Sequence, residues 1–404
     1  MDQNATTQGS QVDVQLIDGL REHVQTFVQI RHDIHAHPEL GFQEARTSAL
    51  VAEKLAQWGY TVTTGVGDTG VVGTLKRGTS TRTIGLRADM DALPIQEATG
   101  LPYASKVAET MHACGHDGHT ATLLAAAHHI ALSEDFDGTV HVIFQPAEEG
   151  LGGARRMIAD GLFERFPCDR VFALHNAPGL PIGHFAVRHG CILASSDRAT
   201  ITLTGRGGHG ALPHRSCDPV VAAASLIMAL QTIVSRNVDP ARACVVTVGA
   251  IHAGKSGNVI PHTATLELSI RALDHETREL LEQRIRELAR LQAEAYGATA
   301  SVEYEYVSRP LINDPQATDI AIEAITSLVG PERLKLMPEA VMGSEDFSWM
   351  TEVRPGCYVL IGNGTGGEGG CVVHNPAYNF NDDAIVWGAG WFVTLVRQML
   401  GHAR

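Results

Sequence analysis

Residues 197–214 read DRATITLTGRGGHGALPH, and they mark where the chain changes character. Positions 197–204 alternate with a period of two, the signature of a half-buried β-strand, and a glycine-rich turn closes the run. Downstream, the spacing predicts a helix over 218–235, strands over 244–251 and 263–272, a helix over 275–296 and a strand over 299–306. That order, β-α-β-β-α-β over 110 residues, is the order of a ferredoxin-like split unit. Upstream the pattern is different. Helical periodicity runs over 12–35 (Val12, Leu16, Leu20, Val24, Phe27) and stops at HAHPEL, and a second helix over 43–58 stops at Gly59. Strands over 60–64, 70–75 and 83–88 follow, then a helix over 118–132, a strand over 139–145, a helix over 154–160 and a strand over 170–175. Strands alternating with helices predict a mostly parallel sheet covered by helices. After Arg309 the same character returns, with a helix over 316–328, a strand over 357–361 and a helix over 383–400. The fold class expected is therefore α/β, with an α+β ferredoxin-like domain inserted into it. The catalytic domain is assigned to 1–190 and 308–404, and the insert, 191–307, to a lid or dimerisation domain.

Composition narrows the function classes. The 404 residues are 44% hydrophobic and 19% charged, a globular balance. Lys and Arg number 31 against 45 Asp and Glu, a net charge of −14 with no basic run, which argues against nucleic acid and anionic membrane as partners. The longest uncharged stretch, 219–235, is shorter than the ~20 apolar residues of a membrane span and contains Ser225, Gln231 and Thr232. Residues 1–11 read as a loose polar tail without the features of a secretory signal. Seven cysteines, an odd number in no framework spacing, read as reduced thiols in a cytoplasm.

Four segments carry chemistry. MHACGHDGH at 111–119 puts three His, a Cys and an Asp ahead of a helix, and Cys114 and His116 are spaced to reach one metal from a loop. FQPAEEG at 144–150 ends an apolar strand in Glu148 and Glu149, so one carboxylate can ligate while the other stays free as a base. VFALHN at 171–176 ends another strand in His175, and His374 follows the flexible glycine-rich loop 362–370. The bland readings are a helix cap with a buried thiol, a solvated acidic turn and capping histidines. Cys114, His116, Glu149, His175 and His374 are more ligands than one structural zinc takes, so two metals sharing a bridging ligand are expected. Cys371 is kept as a structural thiol or alternative ligand. GRGGHG at 205–210 matches the dinucleotide fingerprint literally, but no acidic residue follows about 20 positions on and Pro213 interrupts the helix, so it is rejected. His32, His35 and His37 are read as capping and surface residues.

RHDIHAHPELGFQE, LRADMDALPIQE, MHACGHDGHTATLL, FQPAEEG, GRGGHGALPH and NVIPHTA together resemble the metal-dependent amidohydrolases of the hippurate hydrolase type, within the aminoacylase/carboxypeptidase family. The resemblance covers about 15–400. It implies metal ligation by Cys114, His116, Glu149, His175 and His374, and a general-base role for Glu148. The wider family has His-x-Asp where this chain reads Arg87-Ala88-Asp89, and a bridging Asp where Cys114 sits. A thiolate bridge favours softer ions, and Zn, Mn, Co and Ni stay open as the two divalent cofactors. The implied reaction is hydrolysis of N-acyl amino acids, with His209 of the insert stabilising the oxyanion and Asn258 and Arg271 holding the substrate carboxylate. A homodimer or higher homo-oligomer is implied, because in relatives the lid histidine can come from a partner subunit. The rivals are a dipeptidase or carboxypeptidase of the same family, a thiol hydrolase using Cys114, and a non-catalytic metal or amino-acid binding protein.

Overall fold

Asp13 accepts a hydrogen bond from the Leu16 N–H at 3.0 Å and starts the first helix, α1 (Val14–Arg21). The structure, a computed structural model, describes residues 13–133, 135–367 and 369–402; the expected tail over 1–11 lies outside them. The single helix expected over 12–35 is two, because α2 (Val24–Ala36) begins after a break at Glu22 and His23. Arg21, Glu22 and His23 are all exposed, so no buried side chain holds the helix together there. α3 (Ala45–Gln57) ends as expected, with Gly59 in the left-handed region at φ +84°.

The strands of the first unit are β1 (Thr61–Val66), β2 (Gly70–Arg77), β3 (Thr83–Asp89), β4 (Gly138–Gln145), β5 (Arg170–Pro178) and β6 (Phe185–Val187), joined by Leu334–Leu336 and Gly356–Gly364. They form one eight-stranded sheet in the order β1, β2, β4, β3, β5, Gly356–Gly364, β6, Leu334–Leu336. Its centre is parallel, β4 with β3, β3 with β5, and β5 with Gly356–Gly364, while β1 and β2 add antiparallel strands at one edge. The parallel strands are buried nearly throughout, as a sheet covered on both faces demands. Helix α4 (His116–Leu132) and the C-terminal helix Ala384–Leu400 supply much of that cover through Leu123, Leu124, Ala127, Trp391, Phe392 and Leu395. This unit comprises the described residues up to Ile192 together with 312–339 and 346–402.

The second unit is Leu193–Leu311 with Ala340–Glu345. Four antiparallel strands lie in the order Cys244–Ala253, Thr263–Ala272, Ser196–Thr204, Thr299–Ser308, the ferredoxin-like arrangement. Helices Pro219–Thr232 and His275–Ala295 pack on the sheet, capped by the side chains of Asp218 and Asp274. Inside, Arg278 binds both oxygens of Asp197, at 2.5 and 2.8 Å, and the Tyr304 hydroxyl adds a third bond at 3.0 Å. By length and composition alone the helical stretch Pro219–Asn237, 19 residues, is apolar enough to cross a membrane. Its Ala222, Ala223, Leu226, Leu230 and Ile233 are instead buried in this unit's core.

Candidate metal centre

The parallel strands bring their C-terminal ends to one edge of the sheet, the usual place for a site in such a fold. Asp89 ends β3 directly opposite Gln145, which ends β4. Beside them the chain enters α4 through Cys114 and Gly115. Gly115 sits at φ +94°, and a Cβ there would lie 2.5 Å from both the Asn176 Nδ2 and the Tyr378 hydroxyl. Only glycine lets the helix start so close to the end of β5. Asn176 fixes the approach, donating from Nδ2 to the Cys114 carbonyl at 2.6 Å and accepting from the Tyr378 hydroxyl at 2.7 Å.

After β4, Ala147 takes a left-handed conformation rare for a residue with a side chain (φ +51°). Its N–H donates to the buried Glu44 carboxylate at 2.8 Å, and its carbonyl accepts from Gly153 at 3.0 Å. The kink leaves Glu148 and Glu149 half-buried, where a plain turn would send them into solvent. His374 is also left-handed (φ +62°) and is held by its N–H donating to the Ala113 carbonyl at 2.7 Å. Strained backbone at both points places the side chains that matter.

Among the described residues five groups of potential ligands converge here, two of them through Cys114, and Asp89 with His116 and His119 is among the others. The donor atoms of Cys114, His116 and His175 lie within 4.8 Å of one another, and so do those of Cys114, Glu149 and His374. The thiol of Cys114 belongs to both. It is 3.4 Å from His175 Nε2, and Glu149 Oε1 is 3.1 Å from His374 Nε2. Glu148, His116 and Glu149 form a further group within the same limit.

The surroundings decide which ring nitrogens are available. His175 Nδ1 is 2.8 Å from the Asn176 carbonyl and must donate to it, which leaves the Nε2 lone pair free. His116 Nδ1 faces Asp91 at 3.1 Å, and its buried Nε2 has no hydrogen-bond partner. Asp91 also accepts from the Glu149 N–H at 3.0 Å, tying two of the candidate ligands together. His119 also lies close, but its Nδ1 is bonded to Asp89 at 2.6 Å and its Nε2 accepts from the Asn176 N–H at 3.1 Å. Both its nitrogens are committed, so it orients the site and is not free to ligate.

The electrostatics favour a cation. Burial alone lowers the His116 pKa, but Asp89, Cys114 and Asp91 outweigh it and raise it well above the ordinary value. Hydrogen bonds to Cys114 and Glu149 raise that of His374 to about 10. Burial and the Glu149 charge hold the Cys114 pKa up, so the thiol gives up its proton only to a strong positive charge. An orphaned buried imidazole nitrogen, a shared thiol and converging carboxylate and imidazole donors fit two divalent ions, one for each group that shares the thiol.

The structure thus gathers all five expected ligands, with Glu148 beside them. Cys371 belongs to none of the groups. Sequence reasoning missed the supporting roles of Asp89, Asp91, His119 and Asn176; the signal for the first three was the density of polar residues in RADMD and GHDGH, while Asn176 stands beside His175 near the end of β5. His35 is not a surface residue. It is fully buried, with Nδ1 2.9 Å from Asp117 and Nε2 3.3 Å from Glu97. His32 stacks on Tyr103 and pairs with Asp382, while His37 does sit at the end of α2.

The remaining expected residues are in the second unit. His209 and Asn258 are neighbours there, because His209 pairs with Val259 across a two-stranded ribbon and Gly210 donates to the Asn258 carbonyl at 2.8 Å. His209 Nδ1 accepts from the Ala211 N–H at 3.0 Å, so its exposed Nε2 carries the proton as a donor. Arg271, in the strand Thr263–Ala272, has a buried Nη1 without a partner.

Comparison with known proteins places this site in a family. The family described as "Peptidase family M20/M25/M40" matches residues 85–398. A hippurate hydrolase from Campylobacter jejuni is 46% identical over 374 residues, 93% of this chain and 96% of that protein. Thermostable carboxypeptidase 1 from Saccharolobus solfataricus is 38% identical over 381 residues, 93% of this chain and 95% of that protein. Among solved structures, a dinuclear metal-binding M20 peptidase from Bacillus subtilis superposes with a TM-score of 0.81 at 34% identity, covering 93% of this chain and 98% of the other. The matched span contains every residue of both groups that share the thiol, from Cys114 to His374, and the chain belongs to the M20/M25/M40 peptidase family.

Proposed function

We propose that this chain is a dinuclear metal amidohydrolase that cleaves N-acyl-L-amino acids to a carboxylic acid and a free amino acid. The observation that carries the reading is the pair of ligand groups sharing Cys114, with a further carboxylate, Glu148, within reach of them. Cys114, His116 and His175 would hold one ion, and Cys114, Glu149 and His374 the other. When bound, the two ions lower the pKa of a water and polarise the scissile carbonyl. Glu148 takes the water's proton and later delivers it to the leaving amine. His209 offers its Nε2–H to the developing oxyanion. Arg271, with a buried unpartnered nitrogen, and Asn258 hold the carboxylate of the amino-acid product. The second unit serves in this reading as the lid and the dimerisation element. The helix that it exposes carries Val221 and Met228 on its open face.

A carboxypeptidase activity is the second reading, favoured by the Saccharolobus relative. The two reactions share a leaving group, an amino acid with a free carboxylate, and differ only in the acyl side. One experiment separates these readings and the thiol alternative. Protein stripped with a chelator is reloaded with Zn, Mn, Co or Ni and assayed on benzoyl-, acetyl- and indole-acetyl-amino acids and on dipeptides. Loss of turnover on stripping and recovery on reloading, with N-acyl amino acids preferred, is expected. Full activity in the stripped protein would assign the chemistry to Cys114 as a nucleophile, and dipeptides as the better substrates would make it a peptidase.

A further inference from the structure

We propose that Asp346 is a positioning residue for Glu148, held in place by a buried guanidinium, Arg87; the proposal rests on the general-base role given to Glu148. Asp346 lies in the first unit, just before helix Ser348–Val353, and is almost fully buried. Its N–H donates to Glu148 Oε1 at 3.1 Å. The backbone of Asp346 therefore bears directly on the carboxylate that must collect and return a proton.

That backbone is fixed by its own side chain. Asp346 Oδ1 accepts from Gln145 Nε2 at 2.6 Å and from Arg87 Nη2 at 3.4 Å, and Oδ2 accepts from the Ala154 N–H at 2.9 Å. Arg87 is itself completely buried and spans the sheet edge. Its Nη1 bonds Asp89 at 2.8 Å, its Nε bonds the Gln145 side-chain oxygen at 2.8 Å, and its guanidinium carbon lies 5.6 Å from the Phe347 ring centroid. A guanidinium presents donors in a rigid fork, so one side chain sets the spacing between Asp89, which orients His119, and Asp346, which orients Glu148. The carboxylate of Asp346 accepts from donors on β3, β4 and the start of helix Gly153–Ala159, and together with Asp89 it faces the buried Arg87 guanidinium. A rigid anchor of this kind is what keeps a reacting group within the few tenths of an ångström that proton transfer needs.

The test is a double-mutant cycle on kcat in the metal-loaded enzyme, with benzoylglycine as substrate and metal content and thermal midpoint measured alongside. Glu148→Gln alone is expected to retain metal and to lower kcat by ~10²–10⁴-fold. If it leaves turnover normal, the general-base reading itself fails. Asp346→Asn puts an amide N–H₂ against a donor in either orientation, the Ala154 N–H on one side or Gln145 Nε2 and Arg87 Nη2 on the other, and displaces the anchor. It is expected to lower kcat by roughly 10–100-fold, with KM and metal content unchanged. In the Glu148→Gln background the same Asn substitution is expected to cost nothing further, because there is no base left to misplace. Equal losses in both backgrounds, or loss of metal in place of kcat, would overturn the proposal and make Asp346 a purely structural residue. Gln145→Met removes the shortest donor to Asp346 while keeping the side-chain volume, and it follows the same pattern on a smaller scale if Asp346→Asn does not fold.

Discussion

Cys114 is the residue on which the two ligand groups depend, since both include its thiol. Cys114→Ala is expected to lower occupancy at both positions, whereas His374→Ala, which touches one group, leaves the other ion bound. Metal analysis after dialysis reads the difference, and activity in Cys114→Ala falls by more than the ~10–100-fold typical of losing an outer-shell partner. Two ions retained in Cys114→Ala would mean that the thiol does not bridge. At this scale the sequence is informative where ligands are close in the chain. Cys114 and His116 announce themselves by spacing, and Glu149 and His175 by standing at the ends of apolar strands. His374 has no such signal: taken alone it is only a histidine after the glycine-rich loop, and it gains weight from the other four candidates and from the resemblance. His35 is misread because the carboxylate that buries it, Asp117, is 82 positions away, and no local pattern reports a partner at that distance.

The elements are legible where hydrophobic periodicity extends for several turns or several alternations. The parallel strands, α4 and the β-α-β-β-α-β unit all follow from it. Phe185–Val187 and Leu334–Leu336 do not, because three residues carry no period, and they exist as strands only by pairing with each other and, for Phe185–Val187, with Gly356–Gly364. The start of α4 is an element held by one glycine. Gly115→Ala is expected to destabilise the fold by ~1–3 kcal/mol through the left-handed backbone and more through contact with Asn176 and Tyr378. Metal affinity falls with it, because Cys114 and His116 flank the substituted position. Gly179 is the control, since it has a similar φ of +92° and nothing within 4 Å of the place an alanine methyl would occupy. Urea midpoints and metal titrations of the two alanine variants should separate them, with Gly179→Ala losing only the backbone component and binding metal normally. Identical behaviour of the two would refute the packing explanation.

Across the whole first unit, the buried charges form a network that joins distant parts of the chain. Arg31 and His35 on α2 meet Asp117 on α4, Glu97 in the preceding loop, and Asn379 and Asp382 ahead of the C-terminal helix. Burial by itself lowers the His35 pKa, but the Asp117 charge, its hydrogen bond and that of Glu97 outweigh burial and raise it to about 9. The folded value lies above the unfolded value of about 6.5, so the protonated histidine stabilises the fold. That contribution is complete below pH ~6.5 and disappears as pH rises through about 9. Asp117, depressed by His35 and Arg31 despite its burial, has the opposite sign: its contribution is present above the ordinary carboxylate range and is lost in acid. The His35 shift corresponds to a contribution on the order of 3 kcal/mol. His35→Gln keeps a hydrogen-bonding side chain of similar reach but cannot take a proton. The difference in unfolding free energy between the native chain and His35→Gln is therefore largest at pH 6 and shrinks toward pH 9 and beyond. Urea unfolding of both proteins across that range, at fixed metal concentration, measures it. A difference that stays constant with pH would mean that His35 binds the same protons folded and unfolded, so that its pKa is not raised by Asp117 and Glu97.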